Sequence, residues 1–165
     1  MPKGLRMTRP ASQTGFAISL KGRALRLLAA REQSRAELER KLSVHEETPG
    51  QLAQVLDELQ AKDFINEARV VESVLNRRAS RYGAARVRHE LLGKGLGAEL
   101  VLSAMQGLKS TELERAREVW RKKFDGKAGL AAADAAGRAK QMRFLAARGF
   151  GADVIRRVMS QTEDD

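Results

Sequence analysis

The residues of this chain that could carry catalysis do not form a catalytic arrangement. The two histidines, His45 and His89, lie far apart, and neither has metal-ligand spacing to another donor. The run Gly93-Lys-Gly-Leu-Gly97 is glycine-rich like a phosphate loop, but no strand pattern precedes it and its lysine lacks a following serine or threonine. Asp57 and Glu58 are adjacent, so on a helix they would point in different directions and serve poorly in acid–base catalysis. The sequence therefore predicts a protein that is not an enzyme and that uses no cofactor and no metal ion.

Positive charge is the strongest chemical feature of the chain. It has 31 Lys and Arg against 21 Asp and Glu, a formal net charge of +10. The charge is uneven, because seven bases precede the first acid, Glu32. Such a balance favours a polyanionic partner, either nucleic acid or a nucleoprotein. A basic surface that only aids solubility remains the alternative.

Two sets of residues are the candidates for partner binding. Arginine can bind carboxylates and phosphates through two parallel hydrogen bonds, and the first set surrounds a predicted turn between two helices. For each set the alternative is that the charged side chains only form a solvated helical face. For the tyrosine the alternative to contact with a partner is packing within the fold. The candidates are Arg77, Arg78, Arg81, Tyr82, Arg86, Arg88 and Lys94 in the middle of the chain, and Lys140, Arg143, Arg148, Arg156 and Arg157 near its end.

The cell compartment is constrained by what the sequence lacks. There is no cysteine, which excludes disulfides and thiolate metal sites. No apolar run approaches the roughly 20 residues of a membrane-spanning helix, and Phe16–Leu20 is too short for a signal sequence. We therefore expect a cytoplasmic protein without membrane association, although a basic, acid-poor transit peptide stays open.

Helical periodicity predicts the elements that carry all of these residues. Ser34 with Glu37 forms a capping-box pattern, Thr48-Pro49 predicts a helix start, and Asn66 predicts another. A further helix is expected to stop at or soon after Gly107, with a new one capped by Ser110 or Thr111. No segment alternates with period two, so no sheet is expected. The predicted fold is all-α, with three tandem three-helix, helix-turn-helix-like repeats. The predicted divisions are a mobile basic arm (1–19) and repeats at 20–65, 66–109 and 110–162. The Ala- and Gly-rich stretch 126–137 is predicted to be a loop with a ragged helix start.

An internal repeat supports this tandem arrangement. Residues Gly95–Met105 match Gly149–Met159 in both glycines, the alanine and the final methionine. Each copy predicts a helix, a Gly-x-Gly turn and a second helix with an acid in its first turn. The match places Phe150 at the position of Leu96, which favours a core position for Phe150. A three-helix unit cannot bury all of its faces alone, so such units are expected to stack.

Four segments together resemble the RecX family of recombinase regulators. The segments are 23–42, Phe64-Ile-Asn-Glu-Ala-Arg69, Arg81-Tyr-Gly-Ala-Ala-Arg-Val-Arg-His-Glu-Leu-Leu-Gly-Lys-Gly95 and Arg143-Phe-Leu-Ala-Ala-Arg-Gly-Phe150. The family's second unit usually opens with a glycine where Asp63 stands, has two aspartates where Asn66 and Glu67 stand, and commonly has an aromatic residue where Val70 stands.

The resemblance implies that the three-helix repeats form an elongated, curved array that binds along the groove of the RecA filament on single-stranded DNA. We expect the protein to be a monomer. Such binding would dampen ATP hydrolysis, strand exchange and the induced cleavage of repressors, and so regulate DNA repair, recombination and the SOS response. The alternative is a helix-turn-helix protein that acts directly on DNA. The two differ in salt dependence, because binding to bare DNA weakens steeply as salt rises.

Overall fold

The computed structural model describes residues 17–124 and 134–161. Most of the predicted N-terminal arm, the first part of the predicted 126–137 loop and the acidic tail Glu163–Asp165 lie outside the described residues. The helix start predicted in the 126–137 stretch is confirmed, because Asp134 accepts a hydrogen bond from the backbone N–H of Gly137 and caps a helix that begins at Ala135.

The described residues form eight α-helices and one short 3-10 helix, with no strand among them, as the sequence predicts. The 3-10 helix, Ser43–His45, follows the second α-helix. The α-helices are α1 Leu20–Ala30, α2 Arg35–Leu42, α3 Gln51–Ala61, α4 Glu67–Arg78, α5 Ala84–Gly93, α6 Ala98–Phe124, α7 Ala135–Ala147 and α8 Ala152–Gln161.

Of the three helix starts predicted between Ser34 and Asn66, two are confirmed and one is wrong. Ser34 and Glu37 form the full capping box of α2, and the Asn66 side chain caps α4. The start predicted at Thr48-Pro49 is wrong, because α3 begins at Gln51 after Gly50. Gly50 has a φ of +86°, so the helix cannot extend back through it.

Helix α6 is longer than the sequence predicts. It runs unbroken for 27 residues, so both the expected stop near Gly107 and the new cap at Ser110 or Thr111 are wrong. A glycine inside a helix costs only about 1 kcal/mol relative to alanine, and the buried stripe continues past it through Leu108, Glu112 and Ala116. The hydroxyl of Ser110 donates to the Gly107 carbonyl instead of capping a new helix. The predicted division at 109/110 therefore falls inside one helix, and the repeat boundaries stay a prediction.

Three hydrophobic clusters fill the molecule. The first joins α1, α2 and α3 through Leu38, Leu56 and Leu59. The second joins α4, α5 and the first part of α6 around Val74 and Leu91. The third lies between the end of α6, α7 and α8, and its members include Ala116, Val119, Leu145, Phe150, Ile155, Val158 and Met159. Because α6 contributes to two clusters, it is the continuous rod that connects the second with the third.

The internal repeat is visible in the structure. Gly95 and Gly149 both have left-handed backbones, with φ of +69° and +85°. The residues that follow them, Leu96 and Phe150, are both buried, which confirms the core position expected for Phe150. The final methionines Met105 and Met159 are buried as well. Both copies therefore use the same turn and the same inward positions.

Asp63 stands at the position where the resemblance leads one to expect a glycine, and its backbone is left-handed. Its φ is +61°, a left-handed conformation that aspartate tolerates better than most residues. Its carboxylate accepts hydrogen bonds from the Asn66 amide at 2.8 Å and from the Arg69 guanidinium at 2.8 Å. These contacts hold the turn between α3 and α4 in place.

Candidate functional site

Most of the candidate residues in the middle of the chain gather around the turn between α4 and α5. Arg77 and Arg78 end α4, Arg81 lies in the turn, and Arg86 lies in the first turn of α5. Arg88 is exposed on the same helix. Lys94 is the exception, because it lies at the other end of α5 and is buried.

The Tyr82 ring is packed by cations. The guanidinium carbon of Arg86 lies 4.5 Å from the ring centroid, and those of Arg78 and Arg148 each lie 5.6 Å from it. All three distances allow cation–π attraction. Tyr82 is half-buried against the second hydrophobic cluster, so the ring has a packing role. The structure thus joins Arg148, expected among the C-terminal candidates, to the middle group.

Two contacts in the molecule are each built on one of the Gly-x-Gly turns, and we number them as junctions in chain order. The second junction lies between Gly83–Arg86 at the start of α5 and Arg148–Phe150 in the turn after α7, and backbone atoms make it. The Gly83 N–H donates to the Arg148 carbonyl at 2.8 Å, and the Ala85 N–H donates to the Gly149 carbonyl at 3.3 Å. A Cβ at Gly83 would lie 2.2 Å from the Gly149 carbonyl oxygen. Only glycine therefore allows this approach.

Two further charged residues support the same region, and the sequence reasoning missed both. Arg115 of α6 donates to the carbonyls of Ala79 and Tyr82, each at 2.8 Å. Its burial lowers its pKa, and the charge of Glu112 acts in the opposite direction. The Glu112 carboxylate accepts from the Ala84 N–H at 3.1 Å. In sequence they look like ordinary charged residues on a helix, because only the tertiary structure buries them.

A buried ion pair makes the contact that we call the first junction, between Ser34–Glu37 of α2 and Lys94–Gly95 after α5. The Lys94 Nζ lies 2.9 Å from the Glu37 Oε1, and the side chains are only 11% and 7% exposed. The Ser34 hydroxyl donates to the Lys94 carbonyl. Lys94 is thus an interior residue of the junction, whereas the sequence had suggested a surface cation.

The acidity of Glu37 follows from its surroundings. Burial alone would raise its pKa, but hydrogen bonds from the Arg31 guanidinium, the Ser34 N–H and the Lys94 ammonium outweigh that effect. Together they lower the pKa of Glu37 from 4.5 to about 2. The surroundings of Glu37 therefore favour its ionised form in the folded protein.

The C-terminal candidates are more dispersed. Lys140 and Arg143 are exposed on α7, and Arg156 and Arg157 are exposed on α8. No hydrogen bond or ion pair recorded for the described residues joins these four to the cations around Tyr82. These four form two exposed pairs on neighbouring helices. Arg148 is the one C-terminal candidate that lies with the middle group.

A basic groove runs along the second junction. It consists of two adjoining cavities of about 440 and 410 Å³ that share Ser80 and Arg81. Lys122 and Lys123 at the end of α6 line it, and sequence reasoning missed them although the basic run Arg121–Lys123 was visible. We call this surface the basic groove; its lining is Asn76, Arg77, Arg78, Ser80, Arg81, Val119, Lys122, Lys123, Phe144 and Arg148.

Among residues 17–124 and 134–161, no three His, Cys, Asp or Glu side chains are grouped to hold a metal ion. His45 and His89 are both exposed. None of the helices described has both the length and the apolar character that crossing a membrane requires.

Comparison with known proteins gives a consistent result. A model of the first three-helix domain of RecX matches residues 21–59, and a model of the third matches residues 110–159. The regulatory protein RecX of Leptothrix cholodnii is 55% identical over 142 residues, which is 86% of this chain and 88% of that protein. The regulatory protein RecX of Herminiimonas arsenicoxydans is 45% identical over 90% of this chain and 95% of its own length. A crystal structure of RecX from Lactobacillus salivarius covers 88% of this chain and 96% of its own, with a TM-score of 0.70 at 17% identity, a likeness of fold.

Proposed function

This chain belongs to the RecX family, and we propose that it binds the RecA filament on single-stranded DNA and restrains it. Binding would lower ATP hydrolysis, strand exchange and repressor cleavage by the filament, and so regulate DNA repair, recombination and the SOS response. The observation that carries the proposal is the 55% identity to a regulatory protein RecX over most of both chains.

The charge and the build of the molecule support the proposal. A net charge of +10 attracts a nucleoprotein, whose phosphates are negative. Exposed cations lie on helices of the second and third clusters, and the junctions hold neighbouring units together. Several weak contacts held on connected units add through effective concentration, so the protein can bind tightly without one large interface.

The remaining expectations belong to the same proposal. The protein acts in the cytoplasm as a monomer, and it performs no catalysis of its own. Its repeats span 20–65, 66–109 and 110–162, with the last division inside α6. The candidate contacts are the exposed members of the two predicted sets, among them Arg81, Arg88 and Arg143.

Direct action on DNA is the second candidate function, and the high positive charge favours it. It predicts DNA binding without recombinase that falls steeply with salt. A protein-directed inhibitor instead keeps its effect on the recombinase at salt concentrations that abolish binding to bare DNA. Inhibition that tracks the affinity for bare DNA at every salt concentration would favour this second function.

The test is ATP hydrolysis by RecA on single-stranded DNA, titrated with this protein. We expect hydrolysis to fall as the protein is added. In the variant Arg81→Ala/Arg88→Ala, the concentration for half-inhibition should rise about tenfold, which corresponds to about 1.4 kcal/mol of binding energy. Both side chains are exposed, so the variant should fold normally.

The matched control is Arg26→Ala/Lys109→Ala, which removes the same charge from exposed positions on α1 and α6. Its half-inhibition should change by less than about twofold, since the loss of net charge alone is a weak, long-range effect. An unmodified protein that leaves hydrolysis unchanged would contradict the proposed function. Equal effects of the two variants would contradict the assignment of Arg81 and Arg88.

A further inference from the structure

The cations that line the basic groove outnumber the carboxylates that lie within 4.0 Å of them. Arg78 pairs with Glu90 at 2.8 Å, and Lys122 has Glu118 at 3.9 Å. Arg81 and Lys123 have no carboxylate within 4.0 Å in residues 17–124 and 134–161. The groove therefore keeps a net positive field and favours an anionic occupant.

Two apolar side chains line part of the groove. Val119 of α6 and Phe144 of α7 line the larger cavity together with four cations. A volume of about 440 Å³ is enough for one or two side chains of a bound segment. Apolar surface of this kind stabilises a complex only when an apolar group of the partner covers it. The occupant should thus carry both negative charge and an apolar side chain.

Phe144 is poorly placed to stack with a nucleic acid base. The Arg148 guanidinium lies over its ring, 4.8 Å from the centroid. Phe124 contacts the same ring edge-on, with centroids 5.2 Å apart and an interplanar angle of 85°. Phe144 is the only aromatic residue among those that line the basic groove, and Arg148 already covers one face of its ring. The groove is therefore poorly suited to the base stacking typical of single-strand binding.

We propose that the basic groove binds an acidic peptide segment of a protein partner, with an aliphatic side chain of that segment inserted between Val119 and Phe144. Arg81 and Lys123 bind carboxylates of the segment, and the cations around Tyr82 supply the field along the groove. This inference rests on the proposed function, because it assigns the groove to the protein component of the partner.

The experiment measures fluorescence anisotropy of labelled probes with the full chain. The probes are a short peptide of alternating glutamate and leucine, the same peptide with serine for each leucine, and a thymidine oligonucleotide of equal charge. We expect the leucine peptide to bind about tenfold tighter than the serine peptide. The variant Arg81→Glu/Lys123→Glu should weaken the leucine peptide by at least about tenfold, because two attractive contacts become repulsive.

The control Arg26→Glu/Lys109→Glu makes the same change in net charge at exposed positions, of which Lys109 lies roughly 15 Å along α6 from Val119, the nearest residue of that helix in the groove lining. It should weaken the leucine peptide by less than about twofold. Circular dichroism checks that both variants are folded. Equal binding of the leucine and serine peptides, or equal loss in the two variants, would overturn the proposal.

Two further outcomes separate this inference from others. If the oligonucleotide binds more tightly than the leucine peptide and Arg81→Glu/Lys123→Glu abolishes its binding, the groove is a nucleic acid site and the proposal is wrong. Inhibition of RecA ATP hydrolysis by the unmodified protein is measured in parallel. Inhibition without peptide binding overturns the groove assignment alone, whereas an absence of inhibition overturns the proposed function.

Discussion

The first and second junctions are built on the same turn but are held by different chemistry. Lys94 and Arg148 occupy the same place in the internal repeat, directly before the left-handed Gly95 and Gly149. Lys94 meets an anion, Glu37, and the pair is buried. Arg148 meets another cation, Arg86, and both lie against the Tyr82 ring. One repeated shape has therefore been stabilised in two ways.

The difference follows from a few residues at the start of α2 and α5. Ser34 is the N-cap of α2 and Gly83 is the N-cap of α5. The Ser34 side chain bridges to the Lys94 carbonyl, whereas Gly83 brings its own N–H to the Arg148 carbonyl. Opposite charges can pair in the interior, but like charges cannot, so the second junction uses backbone hydrogen bonds and an aromatic ring instead.

The largest expected effect comes from a methyl group at the second junction. Gly83→Ala places a Cβ against backbone atoms of Gly149 and Phe150, which cannot move aside cheaply. We expect a loss of about 4 kcal/mol in the free energy of unfolding, measured by urea denaturation. Gly107→Ala is the control, because open space surrounds that position within α6, and it should stabilise by about 0.5–1 kcal/mol. A similar outcome for both variants would show that the close backbone contact is not what holds the second junction.

The next effect concerns the ion pair of the first junction. Glu37→Gln leaves Lys94 buried without its counter-charge, and we expect a loss of about 3 kcal/mol on urea denaturation. Lys94→Met in the same chain should recover part of this loss, since it removes the unpaired charge. The corresponding substitution at the second junction, Arg86→Gln, should cost about 1 kcal/mol, because Arg86 is exposed. Equal costs at the two positions would remove the distinction between the junctions.

The first junction should contribute to the pH dependence of stability through Glu37. Folding lowers the pKa of Glu37 from 4.5 to about 2, so its contribution is complete above pH 4.5 and is lost as the pH falls toward 2. The melting temperature of the native chain should therefore fall more over this pH range than the melting temperature of Glu37→Gln. The difference between the two curves isolates Glu37 from other carboxylates. Parallel curves would mean that Glu37 is not held ionised by its neighbours.

The smallest effect in this series concerns the ring of the second junction. Tyr82→Leu removes the face on which Arg86 and Arg148 lie, and we expect a loss of about 1 kcal/mol. Tyr82→Phe keeps the ring and should change the free energy of unfolding by less than about 0.5 kcal/mol. Calorimetric melting of the two variants makes the comparison. A larger loss for the phenylalanine variant would assign the role to the hydroxyl and not to the ring.

The helical elements were largely readable in advance, because their signals are local. Ser34 with Glu37 and the cap at Asn66 are short-range patterns, and both are confirmed. The errors at Thr48-Pro49 and Gly107 have different origins. The left-handed Gly50 makes α3 begin two residues later than the proline signal predicts. A glycine inside a helix costs only about 1 kcal/mol, and the buried stripe of α6 outweighs that cost at Gly107. Local signals therefore fix which segments are helices better than they fix where the helices end.

The sequence by itself determined an all-helical, cysteine-free, strongly basic chain with a repeated Gly-x-Gly turn, because composition and periodicity act over a few residues at a time. Only the tertiary structure decided which cations stay at the surface. It buried Lys94 against Glu37, stacked Arg86 and Arg148 on one ring, and joined Arg81 to Lys123 across a groove. The physical reason is that desolvation and pairing depend on residues distant in sequence, and no local pattern records them.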